Sequence, residues 1–206
     1  RPIQALSPAG ALNKEALGTL LRLRFNPSPD TLYGAINKIQ PGHYLEIDLA
    51  EQDLIVSSHS FLDSAPQTAT IVSTPEVTQY GQKLEKAVKS QLLSDVDLGI
   101  LLSGGVDSAV IAALAKKNYS GNLKAFTVGF EGDFSEDEIQ NAAETADVLG
   151  LEHHYKKISF NDFIGTVREC SRIVEEPLAT TSIIPMYFLS ELASKHVKVV
   201  LSGQGA

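Results

Sequence analysis

The sequence predicts an α/β fold, a parallel sheet with helices on both faces, preceded by a smaller α+β segment. Three observations carry this expectation. From about residue 75 onward, short apolar runs alternate with helical patterns. Several runs, such as Gly99-Ile100-Leu101-Leu102, are apolar at successive positions, as strands covered on both faces require. Before residue 64 the rhythm differs, with one apolar helical stripe and two alternating segments after a Pro-Gly turn.

Composition narrows the classes. The 206 residues carry 17 Lys and Arg against 25 Asp and Glu, a net charge of −8, with 43% hydrophobic residues. That balance suits a folded chain with a core, not a disordered tail or a fibrous repeat. The acidic excess argues against a nucleic-acid binder. The apolar runs fall far short of the roughly 20 residues a membrane span needs. A single cysteine, Cys170, leaves no internal disulfide framework and suits a reducing compartment, so a cytoplasmic location is expected. The chain opens Arg1-Pro2-Ile3 without methionine or an export signal, and stops after Gly203-Gln204-Gly205-Ala206. It is expected to be a piece of a longer enzyme.

Within residues 1–63, Asn13 is placed to cap a helix with Leu17, Leu20, Leu21 and Leu23 as its apolar stripe, broken by Asn26-Pro27-Ser28-Pro29-Asp30. Pro41-Gly42 turns into an alternating strand over 43–48, and residues 54–61 can pair with it, with His43 in a structural role. Residues 64–74, rich in Ser, Thr, Ala and Pro, read as a linker. In residues 75–206, Tyr80, Leu84, Val88 and Leu92 predict a helix over 75–94. Strands are predicted at 98–102, 123–128, 153–158 and 197–201, and helices at 108–117, 136–149, 160–174 and 184–196. His153 and His154 then face opposite sides of one strand, an arrangement unsuited to sharing a metal. Cys170 is expected to be a small buried hydrophobe. Glu136-Asp137-Glu138 reads as a solvated helix start. Glu175-Glu176-Pro177 either ends a helix or borders a substrate pocket.

The segment richest in chemistry is Leu101-Leu102-Ser103-Gly104-Gly105-Val106-Asp107-Ser108. It joins a buried strand to a helix, at the carboxyl end where open α/β sheets bind ligands. Two glycines allow a tight turn and close backbone approach to an anion, and the helix adds its N–H groups and positive dipole end. Ser103 and Ser108 add hydroxyls. With no Gly-Lys-Ser/Thr it is not a P-loop, and with no third glycine it is not a dinucleotide fingerprint. Asp107 would repel a phosphate unless a divalent cation lies between them, which points to magnesium and a nucleotide pyrophosphate. The plainer alternative is a Gly-Gly turn with Asp107 as an N-cap.

Ser103-Gly104-Gly105-Val106-Asp107-Ser108 resembles the PP-loop of the N-type ATP pyrophosphatases, whose fold is like that of the adenine nucleotide alpha hydrolases. The continuation resembles the synthetase domain of glutamine-dependent asparagine synthetases. The strings involved are Ala125–Phe130, Leu151–His154, Glu175–Pro177, Thr181–Tyr187 and Val200–Gly205, in family order over residues 75–206. Leu23-Arg24-Phe25 and Ile39–Tyr44 resemble the end of that family's glutaminase domain, which assigns residues 1–63 to it.

The resemblance implies an ATP-dependent carbon–nitrogen ligase with glutamine as amide donor. Aspartate would attack the α-phosphate of ATP, releasing pyrophosphate, and ammonia would displace AMP. Ser103, Gly104, Gly105 and Ser108 would hold pyrophosphate, Asp107 its magnesium, with Ser103 and Asp107 as the catalytic pair. Leu101, Val128 and Gly129 would contact the nucleoside, although Leu101 and Val128 serve equally well as sheet core. Ser202 and Gly203 would close the pocket, and Ser182 would either face the aspartate or cap a helix. Gln204 stands where relatives often carry an acidic residue, and a glutamine cannot act as a base. The acidic residues that follow in the family fall beyond Ala206, so one set of magnesium ligands is expected to be missing. The family's N-terminal nucleophilic cysteine is missing too, so this chain alone is expected to hydrolyse no glutamine and to be inactive. Expected partners are the small molecules aspartate, ATP and ammonia from glutamine, with no nucleic acid and no membrane; a homodimer is one assembly open to the full-length protein. Other acceptors remain open, in a β-lactam-forming or polysaccharide- or peptide-modifying homologue, as does a nucleotide-binding module without turnover. PP-loop enzymes acting on tRNA would need a more basic surface.

Overall fold

A computed structural model of the chain describes residues 10–49, 55–62, 74–132, 138–174 and 180–204. It divides into two compact units, residues 1–70 with 171–181, and residues 71–170 with 182–206. The predicted linker, apart from Thr74, lies outside the described residues, as do Glu136, Asp137 and the Glu175-Glu176-Pro177 string.

In the first unit, helix α1 (Lys14–Leu23) begins where Asn13 accepts hydrogen bonds from the N–H groups of Glu15 and Ala16, both at 3.1 Å. These satisfy two donors that a helix start otherwise leaves unpaired. It ends at Arg24, which takes a left-handed φ of 67° and donates its N–H to the Leu20 carbonyl, so the helix stops before Asn26 and the prolines. The expected apolar stripe is only half realised. Ala16 and Leu20 are buried with Leu32, whereas Leu21 and Leu23 point outward. Strands β1 (His43–Asp48) and β2 (Ile55–Ser60) form an antiparallel ribbon, with His43 opposite Ser60 and Asp48 opposite Ile55. Gly42, at φ +71°, starts it in a conformation that a side chain would strain.

The second unit begins with helix α2 (Thr74–Gln91) and then alternates strand and helix: β3 (Leu98–Leu101), α3 (Val106–Asn118), β4 (Lys124–Phe130), α4 (Glu138–Leu149), β5 (Glu152–Ile158), α5 (Phe160–Ile173), α6 (Ile183–Ser194) and β6 (Val199–Ser202). The four strands are parallel in the order β5-β4-β3-β6. The chain thus steps outward from β3 to β4 to β5, then returns to the other side of β3. Right-handed crossovers carried in opposite directions put helices on opposite faces. The core agrees. Leu98, Ile100, Leu102 and Ala125 pack against Val88 of α2, Ile111, Ala112 and Ala115 of α3, and Ala142 and Ala146 of α4. On the other face Val128 and Ile158 pack with Cys170, Ile184 and Phe188, and Phe126 with Ala193 and Val197. The α/β class, with helices on both faces of a parallel sheet, is therefore as the apolar runs indicated.

Several boundaries differ from expectation, two of them with a visible cause. The last strand begins at Val199 rather than Val197, because the N–H of Val197 closes the α6 terminus on the Ala193 carbonyl. Helix α3 begins at Val106 rather than Ser108, with Gly105 at its N-cap. On β5, His153 and His154 do project to opposite faces. His154 stacks on His196 at 4.0 Å and on Phe126 at 5.5 Å between ring centroids, while His153 turns toward Thr127. Among the described residues no helix is long and apolar enough to cross a membrane.

Gly99 has no room for a side chain, since a Cβ would lie 2.5 Å from the Phe126 ring. Gly99→Ala is expected to cost about 1–3 kcal/mol of stability by overpacking, read from a urea unfolding midpoint. Acid sensitivity should have a histidine limb. Burial holds His153 below its ordinary 6.5, with His154 adding to the effect. Desolvation likewise lowers His196, followed by charge on His154 and Lys124. The unfolded chain takes up these protons near 6.5 and the folded chain only at lower pH. Stability should therefore be level above that value and decline as pH falls through it. Replacing both histidines by glutamine should flatten the urea midpoint between about pH 7 and 5.

Candidate functional site

The reversal of strand order between β3 and β6 opens a crevice at their carboxyl ends, where ligands bind in open α/β sheets. A cavity of about 420 Å³ lies there, within the ~300–1,000 Å³ range of small-molecule sites. Its walls include Leu101, Ser103, Asp107 and Ser108 from the β3–α3 connection, Ser202, Gly203 and Gln204 from the end of β6, Val128 of β4, and Glu138 of α4. Ser182, Pro185, Met186 and Leu189 close it from the start of α6.

The glycine loop is held by its own serines. Ser108, which is 6% exposed, places its hydroxyl 3.1 Å from the Ser103 carbonyl and 3.0 Å from that of Gly105. The same oxygen accepts the Ser103 N–H at 3.1 Å and lies 2.9 Å from the Ser103 hydroxyl. One proton and two lone pairs are thereby fully engaged. The Ser108 hydroxyl, expected to grip a phosphate, is in this geometry the brace of the loop. Ser103 is exposed, and its Oγ also accepts the Gly105 N–H at 3.2 Å. The first helical bond inward is Ala109 N–H to the Gly105 carbonyl, at 3.3 Å. The amides of Gly104, Val106, Asp107 and Ser108 have no hydrogen-bond partner among the described residues, which is the ordinary state of a helix start and the basis of anion binding there. Asp107 sits in the first turn of α3 and is exposed toward the cavity; it is not the N-cap, a place held by Gly105.

Two close approaches fix the loop from outside. At Gly203 a Cβ would fall 2.7 Å from both N and Cα of Ser108, so the end of β6 meets the start of α3 backbone to backbone. At Gly104 a Cβ would fall 2.8 Å from Cβ of Asn141 on α4. Below the loop, Leu102 donates its N–H to Phe126, and its carbonyl accepts the Thr127 hydroxyl at 2.7 Å.

Most of the residues singled out in the sequence converge here, but not all. Leu101 and Val128 line the cavity and also pack in the core, so both of their expected roles coexist. Gly129 is buried in β4 opposite Lys157 and does not line the cavity. Ser182 occupies the N-cap position of α6 without a side-chain capping bond, and lines the cavity. Gln204 lines it too, its N–H donated to the Ser202 hydroxyl at 3.1 Å. Cys170 is 3% exposed in the apolar cluster of the opposite face, where burial raises its thiol pKa. Glu138, read as a solvated helix start, stands on the cavity wall, and Thr127 and Asn141 touch the loop. Sequence offered no signal for these three, whose contacts arise only when β4 and α4 are laid beside the loop.

The Asparagine synthase family model matches residues 79–206. The chain belongs to the asparagine synthase family. The glutamine-hydrolysing asparagine synthetase 1 of Bacillus subtilis is 35% identical over 199 residues, covering 95% of this chain and 30% of that protein. Asparagine synthetase B of Escherichia coli, also glutamine-hydrolysing, is 30% identical over 187 residues, 83% of this chain and 32% of that protein. The chain therefore spans about a third of the length of these relatives. Among solved structures, an NH3-dependent NAD synthetase from Campylobacter jejuni aligns with a TM-score of 0.41 and 21% identity, over 60% of this chain and 54% of that one. The part matched to the asparagine synthase family contains the whole cavity wall, from Leu101 to Gln204.

Among the described residues no group of three or more His, Cys, Asp or Glu is placed to hold a metal ion, and the cavity wall offers two carboxylate residues beside the loop. Asp107 and Glu138 put carboxylate oxygens on the wall, the ligand type a hard divalent cation takes, while the amides of the loop suit an anion. Gly203→Ala should push β6 and α3 apart at this point. The expected outcome is a stability loss of about 1–3 kcal/mol and a loss of nucleotide affinity of about tenfold or more, measured by urea unfolding and by titration with a fluorescent ATP analogue.

Proposed function

We propose that this chain carries the ATP-activating site of a glutamine-hydrolysing asparagine synthetase. The observation behind the proposal is the meeting of the Ser103–Ser108 loop and the Ser202-Gly203-Gln204 turn around one cavity at the strand-order reversal, in a chain of the asparagine synthase family. ATP would lie with its adenosine between Leu101 and Val128 and its pyrophosphate over the first turn of α3. Residues 75–206 would form the ATP-binding domain, and residues 1–63 the end of a glutaminase domain.

The reaction proposed is two displacements. A carboxylate oxygen of aspartate attacks the α-phosphorus of ATP, the α–β bridging bond breaks, and pyrophosphate leaves. Ammonia then attacks the activated carbonyl carbon, and AMP departs with the carbon–oxygen bonding pair. Charge accumulates on the leaving pyrophosphate, so fixed N–H donors that need no rearrangement are the main requirement. The amides of Gly104, Val106 and Asp107 are such donors, and the Ser108 brace keeps the loop from rearranging around the charge. Magnesium, which Asp107 would hold with Glu138 on the same cavity wall as a further carboxylate, would supply neutralisation of the polyphosphate. Ser103, whose hydroxyl is at the exposed side of the loop, is the group able to turn toward the nucleotide. Gln204 offers an amide and no base, so the proton lost by ammonia would pass to another group or to solvent.

The neutral Gln204 on the wall favours one second possibility, the same adenylating chemistry on a different acceptor. Exchange of labelled pyrophosphate into ATP by the full-length protein separates the cases. Aspartate-dependent exchange is the expected result. Exchange with another carboxylate alone would replace the acceptor, and ATP binding without any exchange would leave a nucleotide-binding module. Asp107→Asn should lower the exchange rate by about 10²-fold or more and weaken magnesium-dependent ATP binding in titration. Unchanged values would remove Asp107 from the assignment.

A further inference from the structure

Buried in the sheet beneath the glycine loop is a hydrogen-bond chain that the proposed chemistry does not use directly. Leu102 is the last residue before the loop and is 2% exposed. Its N–H continues the ladder to β4 through the Phe126 carbonyl at 2.9 Å. Its carbonyl meets no strand, because the backbone turns away at Ser103; the Thr127 hydroxyl, itself 2% exposed, fills that place at 2.7 Å. The Thr127 oxygen also lies 2.8 Å from Nε2 of His153 on β5.

Proton accounting fixes the direction of this chain. A carbonyl can only accept, so the one hydroxyl proton of Thr127 goes to Leu102. The contact with His153 must then be an Nε2–H donated to the Thr127 oxygen. That oxygen is left with a single unshared direction, and residue Leu102 is held on both sides by β4, its N–H by the Phe126 carbonyl and its carbonyl by the Thr127 hydroxyl. A buried carbonyl left without its partner pays its full desolvation cost, so the peptide at the root of the loop is not free to rotate while the chain is intact. His153 is half-buried, and its neighbour across the ladder is Ala125, too small to compete for it.

We propose that His153 is a positioning residue for the glycine loop, acting through Thr127 on the carbonyl of Leu102. It touches no substrate. It selects the direction of the Thr127 hydroxyl, which sets the plane of the Leu102–Ser103 peptide, and that peptide aims the Ser103 N–H into the Ser108 brace. The catalytic consequence rests on the adenylating function proposed above, while the hydrogen-bond chain stands without it.

Two independent readouts test the idea on the full-length protein. In a long-range ¹H–¹⁵N spectrum without nucleotide, His153 should carry its proton on Nε2, with that proton protected from exchange; the protection should vanish in Thr127→Val and persist in Thr127→Ser. A His153 proton on Nδ1 with a bare Nε2 would overturn the proposal. In aspartate-dependent pyrophosphate exchange, Thr127→Val and His153→Phe should lower kcat/KM by about tenfold, the scale expected of a small misplacement of catalytic groups. Thr127→Ser and His153→Gln, which keep a hydroxyl and an N–H donor, should stay within about twofold of the parent. Leu123→Val, a core truncation just before the start of β4, should leave kcat/KM unchanged and so separates positioning from general loss of stability. Equal losses in the donor-keeping and donor-lacking variants, or no loss in His153→Phe, would overturn it. If the parent itself shows no exchange, the function proposed above fails. Exchange protection of the Ser103 and Gly105 amides, compared between His153→Gln and His153→Phe, then decides the positioning role by itself.

Discussion

The contact on which the site depends is between two stretches of backbone. Gly203, just past the end of β6, lies against Ser108 in the first turn of α3 with no space for a carbon atom between them. No side chain could make that approach. It exists because β6 pairs with β3 over Leu98–Leu101, so both strands deliver their carboxyl ends to the same level. The cavity is the gap left above that level, and each residue proposed for chemistry is placed by its distance from this meeting point.

The loop itself illustrates how a phosphate cradle is divided between holding itself and holding a ligand. Of its hydrogen-bonding groups, the Ser108 hydroxyl, the Ser103 amide and the Gly105 amide are used internally. This leaves fewer donors for an anion but fixes where the remaining ones point, and preorganised donors stabilise developing charge without rearranging as the reaction proceeds. Thr127 and Leu102 extend the same logic below the loop, and Asn141 beside it, so that three elements of the sheet and its covering helices constrain a turn of six residues.

Much of the architecture was legible in the residues, for an identifiable reason. Strands covered on both faces are mostly apolar along their length, so residues 98–102 and 123–128, with Thr127 the polar exception, declared themselves, and the helices between them declared the parallel connection. The glycine loop was legible because two adjacent glycines at a strand–helix junction permit a tight turn and close backbone approach; a Cβ at Gly104 would lie 2.8 Å from Asn141, while one at Gly105 would meet nothing nearer than the Ser103 hydroxyl at 3.4 Å. Ser108 was legible as a member of the loop but its bracing contacts were not, since the direction of a hydroxyl depends on the first turn of a helix that begins two residues earlier than its pattern suggested. The stripe on α1 shows the opposite failure. Leu21 and Leu23 are apolar by sequence yet face outward, because in the described residues only Leu32 and its neighbours cover that helix.

Local chemistry written along the chain, namely apolar runs, glycine pairs, an aspartate where an anion would sit, determined the class of fold, the position of the loop and the kind of ligand to expect. It could do so because each of those features acts over a few neighbouring residues. Which strands lie side by side, that Glu138 joins the cavity wall, that Gly129 does not, and that Thr127 and His153 reach the root of the loop were decided only by tertiary structure. Those facts follow from the reversal of strand order about β3, and a reversal is set by packing both faces of the sheet at once, over separations of tens of residues that no local pattern records.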